Sequence, residues 1–212
     1  MSQLPLENCQ HCPRLAQHLA EVRSAWPTYY AKPVLPFGDP AARLIIVGLA
    51  PGLHGANASG RPFTGDHAGI LLYQTLCDFG FSNQPLSTHR GDGLQLLNCR
   101  ITNAVKCLPP ANKPTTAEIK TCNTWLTAEL TELPVGTVLL ALGTVAHQAV
   151  LRARELSPSA AKFAHAAQHA LPGGLWLLDS YHCSRYNTQT KRLTAPMFQA
   201  VFAQARQLLN GL

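Results

Sequence analysis

The sequence predicts an α/β fold, a mostly parallel sheet covered by helices on both faces, and three apolar runs carry that prediction. Residues 43–49, 137–142 and 175–179 are each short, continuous and apolar, the pattern of strands buried on both faces. Helical periodicity separates them, and strands alternating with helices imply parallel pairing. No internal repeat or low-complexity linker divides the 212 residues, so one domain over 1–212 is expected.

Taken in order, Arg-Leu-Ile-Ile-Val-Gly-Leu at 43–49 is a buried strand ending in a glycine-rich turn. Residues 68–79 form a helix whose apolar face is Ile70, Leu71, Leu72, Leu76 and Phe79. Residues 94–105 are extended and enter the loop that carries Cys107. The Pro109-Pro110 and Pro114 breaks precede a helix from Thr116 to Leu130. A strand from Thr137 to Leu142 is closed by Gly143 and followed by a helix to about Arg154. The Pro172-Gly173-Gly174 turn leads into a strand from Leu175 to Asp179. The last helix, from Ala195 to Leu209, places Phe198, Val201, Phe202, Ala205 and Leu208 at helical spacing. Ligands of such folds sit beyond the carboxyl ends of the strands, and the unusual loops follow Val47, Thr102 and Leu178.

A chain 46% hydrophobic and only 13% charged is compact and folded. Met1-Ser-Gln-Leu-Pro-Leu-Glu has neither a basic region nor an apolar core, so no signal peptide is expected, and no apolar run reaches membrane-spanning length. Seven cysteines, an odd number, argue against a disulfide framework and for a reducing cytoplasm. A monomer is expected. The net charge of +6 collects at Arg61, Lys106, Lys113, Arg185, Lys191 and Arg192, which suits a polyanionic partner.

Four cysteines stand out by spacing. Cys9-x2-Cys12 is answered by Cys107 and Cys122, and two residues between thiols let one loop offer both to a single metal centre. Iron–sulfur and zinc would both accept such ligands, and buried free thiols are the alternative. Cys77, Cys99 and Cys183 have no paired spacing. His165 and His169 sit four apart on an expected Ala-rich helix, with no third ligand near in sequence, and are set aside.

Three loops carry candidate chemistry. The first runs Gly48-Leu-Ala50-Pro51-Gly52 and then Gly60-Arg-Pro-Phe63-Thr-Gly-Asp66; its glycines let backbone N–H groups approach a ligand, and no Lys-Ser/Thr follows to make a P-loop. Phe63 is either a stacking platform for a base or a core plug, and Asp66 either orients a water or caps the next helix. In the second loop Asn103 offers a donor and an acceptor to a pyrimidine edge, or forms a turn. The third, from Asp179 to Thr194, combines His182 with Ser184, Arg185, Tyr186, Asn187, Lys191 and Arg192. Hydroxyls and cations there suit phosphates, while Arg185 or Tyr186 is placed to enter a groove.

The order GLAPG, GRPFTGD, TNAVKC, a further cysteine and SYHCSRYNTQTKRLT resembles the uracil-DNA glycosylase superfamily, and within it the family-5 iron–sulfur enzymes. The resemblance covers nearly the whole chain. It implies a three-layer α/β/α sandwich and a [4Fe–4S] cluster on Cys9, Cys12, Cys107 and Cys122. It implies that Phe63 stacks on a flipped uracil, Asn103 reads its edge, and the Gly48–Gly52 backbone with Ala50 and Pro51 lines the pocket. Asp66 would serve the sugar cation and attacking water, and His182 the departing base anion. The implied partner is duplex DNA carrying deaminated bases, with hypoxanthine as a further substrate and single-stranded DNA as a further partner. The family's His-Pro-Ser reads His182-Cys183-Ser184 here, which restores an N–H to that loop. No lysine in these loops is placed as a Schiff-base nucleophile, so no lyase step is expected. A metal-clasped nucleic-acid-binding protein without hydrolase activity is the reading from another class, and a small-nucleotide hydrolase a third.

Overall fold

The computed structural model describes residues 5–211, so Met1–Leu4 of the N-terminal heptapeptide lie outside it. Its centre is a six-stranded sheet built from β1 (Phe37–Gly38), β2 (Leu44–Gly48), β3 (Cys99–Asn103), β4 (Val138–Leu142), β5 (Gln168–Leu171) and β6 (Leu175–Ser180), in the order β1-β3-β2-β4-β6-β5. The four inner strands are parallel and the two edges antiparallel. All five residues of β2 and of β4 are buried, which is why both read as unbroken apolar runs.

Alternation along the strands splits the core in two. Leu44, Ile46, Val138, Leu140 and Leu142 face α3 (His67–Asp78) and α7 (Ala195–Asn210), where Leu72, Leu76, Phe198 and Phe202 meet them. Ile45, Val47, Leu139 and Ala141 face the other side, with Leu126 of α4 (Thr116–Glu129) and Ala146, Ala149 and Val150 of α5 (Thr144–Ala153). Helices on both sides of the sheet complete the predicted α/β fold. A third cluster joins α1 (Pro13–Ala25), through Leu15, Leu19 and Val22, to Val105, Cys107, Leu108 and Cys122. Two short helices, α2 (Ala56–Ser59) and α6 (Arg185–Gln189), interrupt the long polar loops. Among the described residues no helix is long and apolar enough to cross a membrane.

Several sequence expectations change. His165 and His169 are not on a helix: His169 lies in β5, the outer strand of a hairpin turned by Gly173 and Gly174, both at positive φ. Ile70 is 60% exposed, and Tyr73 takes the buried face instead. The extended run narrows to Cys99–Asn103. Helix α1 was legible after all, with Pro13 in its first turn and apolar residues at i, i+4 and i+7.

Candidate active site

The carboxyl ends of all four parallel strands open into one pocket. After β2 it takes Ala50, Pro51, Gly52, Phe63 and Asp66; at the end of β3, Asn103; after β4, Gly143, Thr144 and Val145; and after β6, His182, Ser184 and Arg185. Gly48 and Asn103 are register partners across β2 and β3. A Cβ on Gly48 would fall against Asn103 Oδ1 and within 2.8 Å of Phe63 Cζ, so only glycine lets the amide and the ring converge.

Phe63 is held in a left-handed conformation, φ +53, which a bulky residue adopts only when its surroundings enforce it. Arg61 does much of the enforcing. Its guanidinium donates to Asp92 Oδ1 at 2.9 Å and Oδ2 at 2.6 Å, to Ser87 Oγ at 2.7 Å and to Thr64 Oγ1 at 2.9 Å. Tyr73 donates to Pro62 O at 2.7 Å. The fixed ring stacks toward His182, with centroids 5.9 Å apart and planes 28° from parallel. Phe63 is thus both a core residue, 5% exposed, and a pocket wall; the two readings of it were not exclusive.

Asp66 takes the capping role and also reaches the pocket. It caps α3, accepting the Gly69 N–H at 2.8 Å through Oδ1, while its side chain lines the pocket. Burial raises its pKa, against the opposing pull of the Gly69 and Ala68 N–H groups and His67. His182 moves the other way: burial lowers its pKa to about 4, so the imidazole is neutral at pH 7. Its Nδ1 is buried with no hydrogen-bond partner among the described residues. One pocket therefore sets a carboxylate and a neutral imidazole around a space walled by an aromatic ring and an amide.

The four spaced cysteines also converge. Cys9, Cys12, Cys107 and Cys122 line one small pocket with Leu15, Lys106 and Trp125, and none is in a disulfide. The Lys106 N–H donates to Cys122 Sγ at 3.3 Å. Burial raises the Cys12 thiol, the Cys107 thiol and the Cys122 thiol, the last to about 11. Arg14 of α1 reaches both carboxylate oxygens of Glu118 on α4 at 2.7 Å, fastening the two cysteine-bearing regions beside the site.

The sequence profile of the Uracil DNA glycosylase superfamily matches residues 35–206. The chain belongs to the uracil-DNA glycosylase superfamily. It is 48% identical over 208 residues to the Type-5 uracil-DNA glycosylase of Thermus thermophilus, covering 96% of this chain and 94% of that one. It is 40% identical over 205 residues to the Type-5 uracil-DNA glycosylase of Pyrobaculum aerophilum, covering 94% and 88%. With the Type-4 uracil-DNA glycosylase of Archaeoglobus fulgidus the likeness is 31% over 120 residues, or 56% and 52% of the two chains.

In this superfamily member the third loop is partly ordered as α6, with Ser184 as its cap accepting the Asn187 N–H. Asn187 donates to His182 O at 2.8 Å, so its amide serves the loop itself. Tyr186 is 70% exposed, and Arg185, Lys191 and Arg192 are exposed around it. Two cations of the expected basic surface are absent from it: Arg61 is buried on Asp92, and Lys106 is buried with Nζ 2.8 Å from Glu129. Sequence reasoning missed the Gly143–Val145 wall, although the carboxyl end of a parallel strand was signal enough. It also missed His67 and Asn112, which nothing in their local sequence marks.

Proposed function

We propose that this chain is a monofunctional DNA-repair glycosylase, one domain that hydrolyses the N-glycosidic bond of uracil in DNA and leaves an abasic site. The convergence of Asp66 and His182 with Phe63 and Asn103 in one pocket carries the reading. A base stacked in duplex DNA must leave the stack, at about a few kcal/mol, before its glycosidic bond is reachable. Arg185, which lines the pocket, and its exposed neighbour Tyr186 suit the vacated space, and Lys191 and Arg192 suit the phosphates. The flipped base stacks on Phe63 while the Asn103 amide pairs with its edge.

Bond cleavage builds positive charge on the sugar and negative charge on the base. The Asp66 carboxylate stabilises the first and orients the water whose oxygen adds to the sugar carbon. Neutral His182 donates a hydrogen bond to the departing base without needing prior protonation. Only a small alanine occupies position 50, so the pocket selects by shape more than by a polar side chain there. Hypoxanthine and other deaminated bases are therefore further substrates to try, as is single-stranded DNA.

Cys9, Cys12, Cys107 and Cys122 would hold a [4Fe–4S] cluster. Its support is the all-thiol donor set, the N–H aimed at Cys122 Sγ, and spacing: among the described residues the one group of three donors within 4.8 Å of one another is elsewhere. A single tetrahedral zinc would draw its sulfurs to about 3.8 Å, from a bond of about 2.3 Å. Such a cluster would cross-link the N-terminal segment to the 107–122 region, in a pocket that shares no lining residue with the one holding Asp66 and His182.

Incubation with a uracil-containing duplex, followed by alkali, tests the reaction. Alkali-labile breaks at the uracil are expected, without breaks before alkali. Binding without breaks from uracil or hypoxanthine would instead identify a nucleic-acid-binding module.

A further inference from the structure

Among the described residues nothing hydrogen-bonds the His182 ring: Nδ1 is buried without a partner, and its aromatic contact is with Phe63. In a hydrolytic site an imidazole is commonly oriented by a carboxylate on its own ring. Here its position must come through the backbone, and the preceding residues are held by a group of side chains outside the pocket.

Asp179, at the end of β6, is fully buried, as is His147 of α5. His147 Nδ1 lies 2.7 Å from Asp179 Oδ1, and its Nε2 lies 3.0 Å from Ala161 O. Ala161 O can only accept, as does Asp179 when ionised, and a ring that donates to both is drawn toward its imidazolium form. Burial opposes that charge; the Asp179 hydrogen bond and charge favour it, and the net shift is upward. His169 Nε2 approaches the other oxygen, Oδ2, at 3.3 Å, and the Ala164 N–H approaches it at 3.4 Å. The next residues are tied in turn. Ser180 O accepts the Gly143 N–H at 2.8 Å, joining it to the pocket wall. The Tyr181 N–H donates to His165 Nδ1 at 3.2 Å, and the Tyr181 ring stacks on His165 at 4.9 Å with Arg192 above it at 4.7 Å.

We propose that Asp179, clamped between His147 and His169, is the positioning residue for His182, fixing the end of β6 and with it the place of the imidazole in the pocket. The inference rests on the glycosylase reading of His182. A hydrogen bond joins His147 to Asp179 in the clamp. His147 Nδ1, His169 Nε2 and Asp179 lie within 4.8 Å of one another, but an ion would hold nitrogen and oxygen about 3.3 Å apart in tetrahedral geometry. At 2.7 Å the first pair fits a charge-assisted hydrogen bond. A displacement of about 1 Å in a catalytic group costs on the order of 100-fold in rate, so a brace without contact to DNA still governs chemistry.

The test uses the full-length, cluster-loaded protein. In 15N-correlated spectra at pH 7.5, His147, assigned through its loss in His147→Gln, should show two ring N–H protons. Asp179→Asn and His169→Gln should shift the His182 ring signals. Both should lower the single-turnover rate of uracil excision about tenfold or more, leaving affinity for a duplex with an uncleavable uracil analogue within about twofold. If Asp179→Asn does not fold, His169→Gln, at the solvent edge of the clamp, decides. Unmoved His182 signals, equal losses of rate and affinity, or one equivalent of zinc lost in His147→Gln would each overturn the proposal. A wild-type protein that excises no uracil counts instead against the glycosylase reading.

Discussion

At Asp66 one carboxylate oxygen accepts the Gly69 N–H while the side chain faces a pocket whose burial raises its pKa. In the proposed reaction Asp66 acts as the anion, so the excision rate should rise with pH along a limb lying above the ordinary carboxylate range. Asp66→Asn should cost about 10²-fold or more in kcat and erase that limb, as a pH–rate profile would show; a limb surviving the substitution would remove Asp66 from the chemistry. His182 gives a second signature, in stability. Its folded pKa of about 4 lies below its unfolded value, so the unfolded chain binds the proton first and stability falls as pH drops from about 6.5 toward 4. The full shift corresponds to about 3 kcal/mol at most, less for the part of the ring that water reaches. Asp66 has the opposite sign: its raised pKa yields stability that disappears as pH rises through the folded value. In denaturant titrations between pH 4 and 7 the stability of wild type relative to His182→Gln should therefore fall toward the acid end. At this scale the sequence named Asp66, Asn103, Phe63 and His182, because each is an isolated functional group in a glycine-rich or strand-end loop. What it left open was whether each was structural or chemical; Asp66 and Phe63 each hold a structural place while lining the pocket.

Among the elements, the segment 60–64 shows where sequence reading stops. Arg61 looks like surface charge, yet it is 4% exposed and bridges Asp92, Ser87 and Thr64. Partners 26 and 31 residues away leave no periodic trace. Strands β2 and β4 were legible for the converse reason: burial on both faces forces an unbroken apolar run, a local pattern that survives without its neighbours. Edge strand β5 has one face partly wet and so mixes Gln168 and His169 with Leu171. The His147–Asp179 contact is equally invisible, since 32 residues separate its ends. The Arg61 network also predicts a magnitude. Its hydrogen bonds hold the Asp92 carboxyl well below the usual range, and breaking one partner of a buried pair costs about 3–5 kcal/mol. Asp92→Asn should destabilise by that order in denaturant unfolding and weaken base binding, because Phe63 loses the frame that enforces its left-handed backbone. Arg61→Lys should not restore either, since an ammonium cannot span both Asp92 oxygens and Ser87 together. Wild-type stability in both variants would show that the loop is held by something other than this pair.

For the molecule as a whole, the four cysteines join the first described residues to the middle of the chain, and α1 carries that connection toward the pocket. Cys12 caps α1, and beyond its other end the Tyr29 hydroxyl meets His54 Nδ1 at 2.8 Å. The Tyr30 and Ala31 N–H groups then donate to Ala58 O and Asn57 O at 3.0 Å. These contacts brace the segment between Gly52, which lines the pocket, and Asp66, whose side chain would collide with any Cβ at Gly55. The central sheet, by contrast, has two apolar layers that owe nothing to α1. Losing the proposed cluster should therefore loosen the pocket wall before it unfolds the sheet. Cys12→Ser should abolish visible absorption and lower the melting temperature while keeping the far-ultraviolet circular dichroism. The loss in uracil excision should then fall mainly on KM for DNA, because His182 follows β6, outside the cysteine-bearing segments. A fall in kcat at unchanged KM and unchanged melting temperature would place the cluster in the chemical step, which the separation of the cysteine pocket from Asp66 and His182 argues against.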